Sequence, residues 1–354
     1  MKTVFRIAII LVFILLISIY QSLEDENEPL KGPDTQTLKK DHDNQLKKPL
    51  ENAGERPVSG LSTWIGKGSD KVIDAFGEPE RIEPGLYGYD WWIYPISQKQ
   101  YLQMGVEDNK VVTLYAIGNE VDVSPYKLGQ KLEDIYRFTI IESEIVVNDE
   151  SGSYQFELNE EDLNTRLLVS LGDIYAQLYL DKFTGELMSI RFLDSATLIK
   201  MHPYEMMYRG ELAEEPQPTD EEWNKIDTAS EQQIFDITNV MRAQFEADEV
   251  EWNEETAEVA RGHSEEMYEK DYFSHDSPVF GSLTDRLESH EITFKSAGEN
   301  IASQYTDAPE AVHGWLNSEG HRKILLEKDF TDLGVGVHKR YYTQNFIEKF
   351  TIDE

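Results

Sequence analysis

An apolar run, IAIILVFILLISIY, occupies residues 7–20, behind Lys2 and Arg6 and ahead of a polar segment that starts at Gln21. A basic flank before such a run directs the chain that follows out of the cytoplasm. Exported folds are often held by disulfides, yet this sequence contains no cysteine. What folds beyond residue 20 must therefore be held by size and packing. The 354 residues, 40% hydrophobic and 11% aromatic, suffice for two ordinary cores. The run suits a signal-peptide core better than a full membrane span, but no A-x-A site follows it and no cysteine is available for lipid attachment. Residues 1–22 are expected to be either a signal peptide or an uncleaved membrane anchor. The remainder is then secreted or membrane-anchored, on the extracytoplasmic side, and meets the membrane only through this segment if it is retained.

Lys and Arg total 33 against 68 Asp and Glu, a formal net charge of −35. Such a field repels nucleic acid and anionic lipid, so no nucleic-acid partner is expected. The acids are spread along the chain, as on an ordinary solvated surface. Residues 23–59 are charged, turn-rich and nearly free of aromatics, which predicts a disordered linker. A second polar stretch, GELAEEPQPTDEEWNK at 210–225, predicts an acidic linker over 206–227. Two domains are expected, at 60–205 and 228–354.

The first of these reads as a weak internal repeat. In one copy Gly66 precedes the helical SDKVIDAF, followed by the alternating YGYDWWIYP and a hairpin turning at Asp108-Asn109. In the other, Gly129 precedes LEDIYRF, YQFELN supplies alternation, and a hairpin turns near Thr184-Gly185. Each copy predicts a helix followed by about three antiparallel strands. Tyr87, Tyr89, Trp91 and Ile93 form either an exposed recognition surface or one buried strand face, and alternation favours burial.

In the second domain SEQQIFDITNVMRAQF places Ile234, Ile237, Met241 and Phe245 at helical spacing behind a Ser230 cap. A second helix carries His263 on a mostly apolar face, where a packed core role competes with a place in a cavity. His275 then sits in the irregular YFSHDSP, and Glu299 follows Gly298 in AGENIA, in an expected buried turn before a short strand or helix. Asp307 and Glu310 make a D-x-x-E capping signal for a helix that carries Trp315 and is expected to end at Gly320. His321 would then follow a helix C-terminus, which favours the charged imidazole unless a metal or buried neighbour keeps it neutral.

YFSHDSP, AGENIA, WLNSEGHRKILL and LGVGV occur in this order, and residues 230–350 thereby resemble the CAP superfamily of cysteine-rich secretory, antigen and pathogenesis-related proteins, in its cysteine-free bacterial branch. Residues 60–205 more diffusely resemble the region called CAP-associated. The resemblance implies an α+β chain: a C-terminal three-layer α-β-α sandwich preceded by an α+β domain of two helix-plus-antiparallel-sheet repeats. Helices at 231–246, 254–269 and 308–318 and strands near 333–338 and 342–348 fit it. In the family, two histidines and two acids line a cavity able to hold a divalent metal. His275 matches the first histidine and Glu299 the first glutamate. The second acid falls on Ser318, and the last histidine on Arg340 or Tyr341. His321 is the substitute the GHR motif suggests, with His263, Glu319, His338 and Tyr341 as further contributors.

His275, Glu299 and His321 would offer two nitrogens and one carboxylate, a donor set suited to a divalent metal such as zinc. The competing reading is a polar network in which Glu299 orients His275. Three functions follow. The first is an envelope protein binding a lipid, glycan or peptide in the His/Glu cavity. The second is a degenerate scaffold whose partner is an envelope protein, and the third a metal-dependent hydrolase of the peptidase type, whose enzymatic status the motifs leave open.

Overall fold

The computed structural model describes residues 28–33, 38–41, 46, 54–97, 100–214 and 216–350. The expected signal or anchor at 1–22 lies outside the described residues. Within the stretch expected to be a disordered linker, two short strands appear instead, β1 (Leu30–Lys31) and β2 (Leu38–Lys40). Each adds in parallel to a sheet edge formed elsewhere, Leu30 opposite Ala302 and Leu38 opposite Met206. Backbone pairing with an open edge needs no hydrophobic pattern of its own, which is why composition did not reveal it.

Gly66 and Gly129 open two copies of one unit. Both have positive φ, 82° and 80°, which a side chain would strain. Their amides donate to Val111 O at 2.7 Å and Leu187 O at 2.8 Å, and the first helical amides, of Ser69 and Leu132, donate to Asn109 O and Gly185 O. The repeat is thus carried in matching hydrogen bonds. The first copy runs α1 (Ser69–Phe76), β3 (Arg81–Pro84), β4 (Asp90–Ser97), β5 (Gln100–Glu107) and β6 (Lys110–Ile117). The second runs α2 (Leu132–Ile135), β7 (Glu144–Asp149), β8 (Gly152–Glu157), α3 (Glu160–Thr165), β9 (Arg166–Leu171), β10 (Ile174–Asp181) and β11 (Glu186–Asp194).

Seven of these strands form one antiparallel sheet in the order β3-β4-β5-β6-β11-β10-β9. The last strands of the two copies pair at its centre, Ser189 opposite Ile117 through Leu193 opposite Thr113. YQFELN does not join that sheet. It lies in and just beyond β8, in a four-stranded sheet ordered β2-β12-β8-β7, where β12 (Glu205–Gly210) follows α4 (Ser195–Met201). Residues 206–210, expected to open the linker, are therefore strand.

The linker also ends earlier than expected. Helix α5 spans Asp220–Gln244, because Thr219 and Glu222 make a reciprocal capping box and three acids occupy the first turn. Acids that read as a linker are the favourable start of a helix. Ser230 is no cap; its hydroxyl donates back to Ile226 O at 2.9 Å.

The C-terminal domain continues with β13 (Glu251–Trp252), α6 (Glu254–Glu269), α7 (Leu283–Ser289), β14 (Ser296–Ser303), α8 (Ala308–Leu316), α9 (Glu319–Leu325), β15 (Asp332–His338) and β16 (Tyr341–Glu348). Its five-stranded sheet is ordered β1-β14-β16-β15-β13, with an antiparallel centre and parallel edges. Alternation in LGVGV builds the three layers. Leu333, Val335 and Val337 join a buried cluster with Ile234, Ile237 and Met241 of α5. Gly334 and Gly336 face α6 so closely that an added Cβ would lie 2.2 Å from Ala257 N and 2.0 Å from Arg261 N.

The two domains are packed together. Tyr87, Tyr89, Trp91 and Ile93 are all buried, in the cluster that also holds Ala311, Val312 and Trp315 of α8. The strand face is thus buried, and the C-terminal domain helps to cover it. Polar groups cross the seam: Arg191 pairs with Asp307 at 2.5 Å, Arg81 with Asp236 at 2.6 Å, and Arg322 with Asp181 at 2.9 Å.

Candidate functional site

Strand alternation decides where Glu299 points. It lies in the middle of β14, opposite Asn345, rather than in the expected turn. Ala297 belongs to a small cluster with Val259 of α6 and Leu287 of α7, which places the odd-numbered β14 side chains, including Glu299, on the α6–α7 side. Asn300 points the other way and donates to His321 O at 3.2 Å.

Three side chains converge on the Glu299 carboxylate. His275 Nδ1 lies 3.0 Å from Oε1, His263 Nε2 lies 4.0 Å from the same oxygen, and Arg286 Nη2 donates to Oε2. Arg286 is placed by α7, whose N-terminus is a capping box of Ser282 and Asp285. Its Nη1 also donates to His275 O at 2.8 Å and Gly281 O at 3.0 Å, tying the YFSHDSP segment to the helix. Burial alone would raise the Glu299 pKa, but the His275 hydrogen bond and the Arg286 and His263 charges outweigh it, so the carboxylate is held below its ordinary range. His263 is buried on α6, its Nε2 3.1 Å from Ser274 O, and burial lowers its pKa.

His321 joins from the opposite side of the sheet, its ring centroid 6.2 Å from that of His275. It does not follow a helix C-terminus. The preceding helix stops at Leu316, and His321 lies in the first turn of the new helix α9, where it is buried. Burial, then the neighbouring His275, push its pKa down to about 4, so the ring is neutral at physiological pH. Ser318, at the position of the missing acid, lies 2.7 Å from His321 Nδ1, while Nε2 is buried with no partner in the protein.

The remaining candidates lie elsewhere. His338 packs edge-on against Tyr268 at 5.0 Å, and Tyr341 against Tyr268 and Phe273 at 6.0 and 6.1 Å, in an aromatic group on the α6 and β15–β16 surface. Glu319 is exposed, pairs with Lys323 at 3.5 Å and borders a different cavity, between the domains. Arg340, in the left-handed region at φ 70°, holds Tyr305 O and Gln304 O.

The donor set does not fit a bound divalent metal. Among the described residues, no group of three or more His, Asp or Glu side chains is arranged to hold a metal ion. Arg286 and His275 take both Glu299 oxygens, and a guanidinium already supplies the compensating charge. Arg286 is the residue that sequence reasoning missed. The S-x-x-D capping pattern of Ser282 and Asp285, immediately before it, was the signal that a short helix presents it.

The CAP-associated N-terminal family model matches residues 65–204, and the model of the cysteine-rich secretory protein family matches residues 235–350. A Bacillus subtilis relative described as uncharacterized membrane protein YlbC is 52% identical over 294 residues, 83% of this chain and 85% of its own length. The chain belongs to the CAP family. Its CAP domain and CAP-associated domain recur together in solved structures. An extracellular SCP-domain protein from Bacillus anthracis superposes with a TM-score of 0.78 at 44% identity, covering 86% of this chain and 100% of that one. A cysteine-rich secretory protein from Staphylococcus aureus superposes with a TM-score of 0.77 at 27% identity, covering 91% and 99%.

Proposed function

We propose that this CAP protein works outside the cytoplasm, in the cell envelope, and binds an envelope lipid, glycan or peptide at His275 and His321 above the Glu299–Arg286 pair. The observation that carries this reading is the His321 Nε2 atom, buried without a protein partner beside a His275 side chain that remains 28% exposed. A ligand hydroxyl or amide reaching past His275 satisfies it, since a buried polar atom without a partner costs stability. Val279 and Phe280, exposed at the far end of the same segment, add apolar surface. The extracytoplasmic setting is supported by the basic-flanked apolar run at 7–20 and by relatives described as membrane and extracellular proteins. No helix among the described residues is long and apolar enough to cross a membrane, so on this reading any anchor is that run. Water activation by a metal forms no part of the proposal, because the Glu299 carboxylate is committed to Arg286 and His275.

Cosedimentation of the chain with isolated envelope fractions tests it. Wild type is expected to bind, and His275→Ala to weaken binding by roughly tenfold or more, as for a central contact residue. Equal binding by wild type and His275→Ala removes the cavity from the account.

A further inference from the structure

A second cavity, of about 490 Å³, lies between the two domains. Its walls come from α3, β9 and β10 on one side and from α8 and the α8–α9 corner on the other, with the Leu30 to Pro33 stretch across them. Three lining residues are more than nine-tenths buried, Arg166 at 7%, Glu310 at 3% and His313 at 4% exposure. Each carries polar atoms that find no hydrogen-bond partner in the protein: Nη1 and Nη2 of Arg166, Oε2 of Glu310 and Nδ1 of His313. Buried groups of this kind are ordinarily satisfied, and here four such atoms belong to residues that line one cavity of ligand size.

These groups are held in place from behind. Arg166 Nε donates to Asp162 at 2.7 Å, the guanidinium lies over the Tyr204 ring at 4.5 Å, and Nη1 is ion-paired with Glu310 Oε1 at 3.6 Å, beyond hydrogen-bond range. Glu310 Oε1 accepts from Gln177 Nε2 and Tyr179 OH, each at 3.3 Å, which orients the carboxylate and leaves Oε2. His313 Nε2 contacts Ser189 Oγ at 2.5 Å and Tyr115 OH at 3.0 Å, and its ring stacks on Tyr179 at 4.6 Å.

The charges select the ligand. A bare anion on Arg166 would meet Glu310 and Asp162 alongside it, and a bare cation on Glu310 would meet the Arg166 guanidinium that already pairs with it. Arg166 Nη1 and Glu310 Oε1 are 3.6 Å apart, so the two poles are adjacent. A guanidinium edge matches a carboxylate in a two-pronged contact, and a carboxylate matches an ammonium. We propose that the interdomain cavity binds a free α-amino acid, its carboxylate on the Nη edge of Arg166 and its ammonium on Glu310 Oε2, with the side chain in the remaining volume. The site needs both domains, which gives the docking of the repeat domain a function of its own.

The test is calorimetric and thermal-shift titration of the full chain with the twenty common L-α-amino acids, singly, each beside its N-acetyl and its carboxamide derivative. At least one free amino acid is expected to bind one to one and raise the melting temperature by a few degrees, with both blocked forms losing the effect. Glu310→Gln keeps the size and the Oε1 contacts and is expected to weaken binding by roughly tenfold or more. Should that variant fold poorly, the comparison of free and blocked ligands on wild type still decides. No binding by any free amino acid, or equal binding by the blocked forms, overturns the proposal.

Discussion

At the residue scale, Glu299 shows how one carboxylate can be stable inside a core. It is buried, yet its acidity is kept by a hydrogen bond from His275 and the charge of Arg286. Arg286→Leu would leave that charge uncompensated and is expected to cost about 3–5 kcal/mol in urea unfolding, whereas His275→Ala removes one hydrogen bond from a partly exposed side chain and costs about 1 kcal/mol. Equal losses would contradict the pairing. His321, pushed down to about 4, binds its proton less readily folded than unfolded. Its contribution to stability is complete above the ordinary histidine value near 6.5 and is lost as pH falls toward 4. Asp227 and Glu231, both raised by burial to about 7, act in the opposite sense: their contribution is complete at low pH and fades as pH rises through 7. Comparison of wild type with His321→Asn isolates the histidine. The difference in stability between them should shrink between pH 6.5 and 4.5, by up to about 1.4 kcal/mol per unit, and parallel profiles would exclude the effect. His275 and Glu299 were legible because each stands in a motif. Arg286 was not, since it meets Glu299 only after a short helix and a strand have folded.

At the element scale, pattern and turn chemistry carried most of the information. The helix over 254–269 and the strand near 333–338 form where they were expected, and the Asp108-Asn109 hairpin has both residues at positive φ, 49° and 60°. The misplacements share a cause: local polarity read without its partner. The acids at 220–222 belong to a capped helix, AGENIA is a strand because β16 pairs with it, and His321 starts a helix because the chain turns at Asn317. Thr219→Ala is expected to cost about 1 kcal/mol, read from chemical unfolding. The glycines divide by mechanism. Gly129→Ala meets open space and incurs only left-handed backbone strain of about 1–2 kcal/mol. Gly336→Ala drives its methyl into the α6 backbone and should be the more damaging of the two in the same measurement.

At the scale of the whole molecule, the CAP-associated domain presents its aromatic sheet face to the CAP domain, so the interface is part of both cores. The contact between the two domains has no local signal in the sequence, because Arg191 and Asp307, or Tyr179 and His313, are far apart in the chain. Fluorescence and circular dichroism should report one coincident unfolding transition; two separated transitions would mean that the seam adds little. The claim on which function rests is that an envelope ligand contacts His275 and His321 directly. With eight histidines in the chain, imidazole nitrogen resonances can be resolved singly while envelope extract is titrated into the full-length protein. The account predicts that His275 and His321 shift together and saturably as the ligand binds, and binding with both resonances unmoved would contradict it.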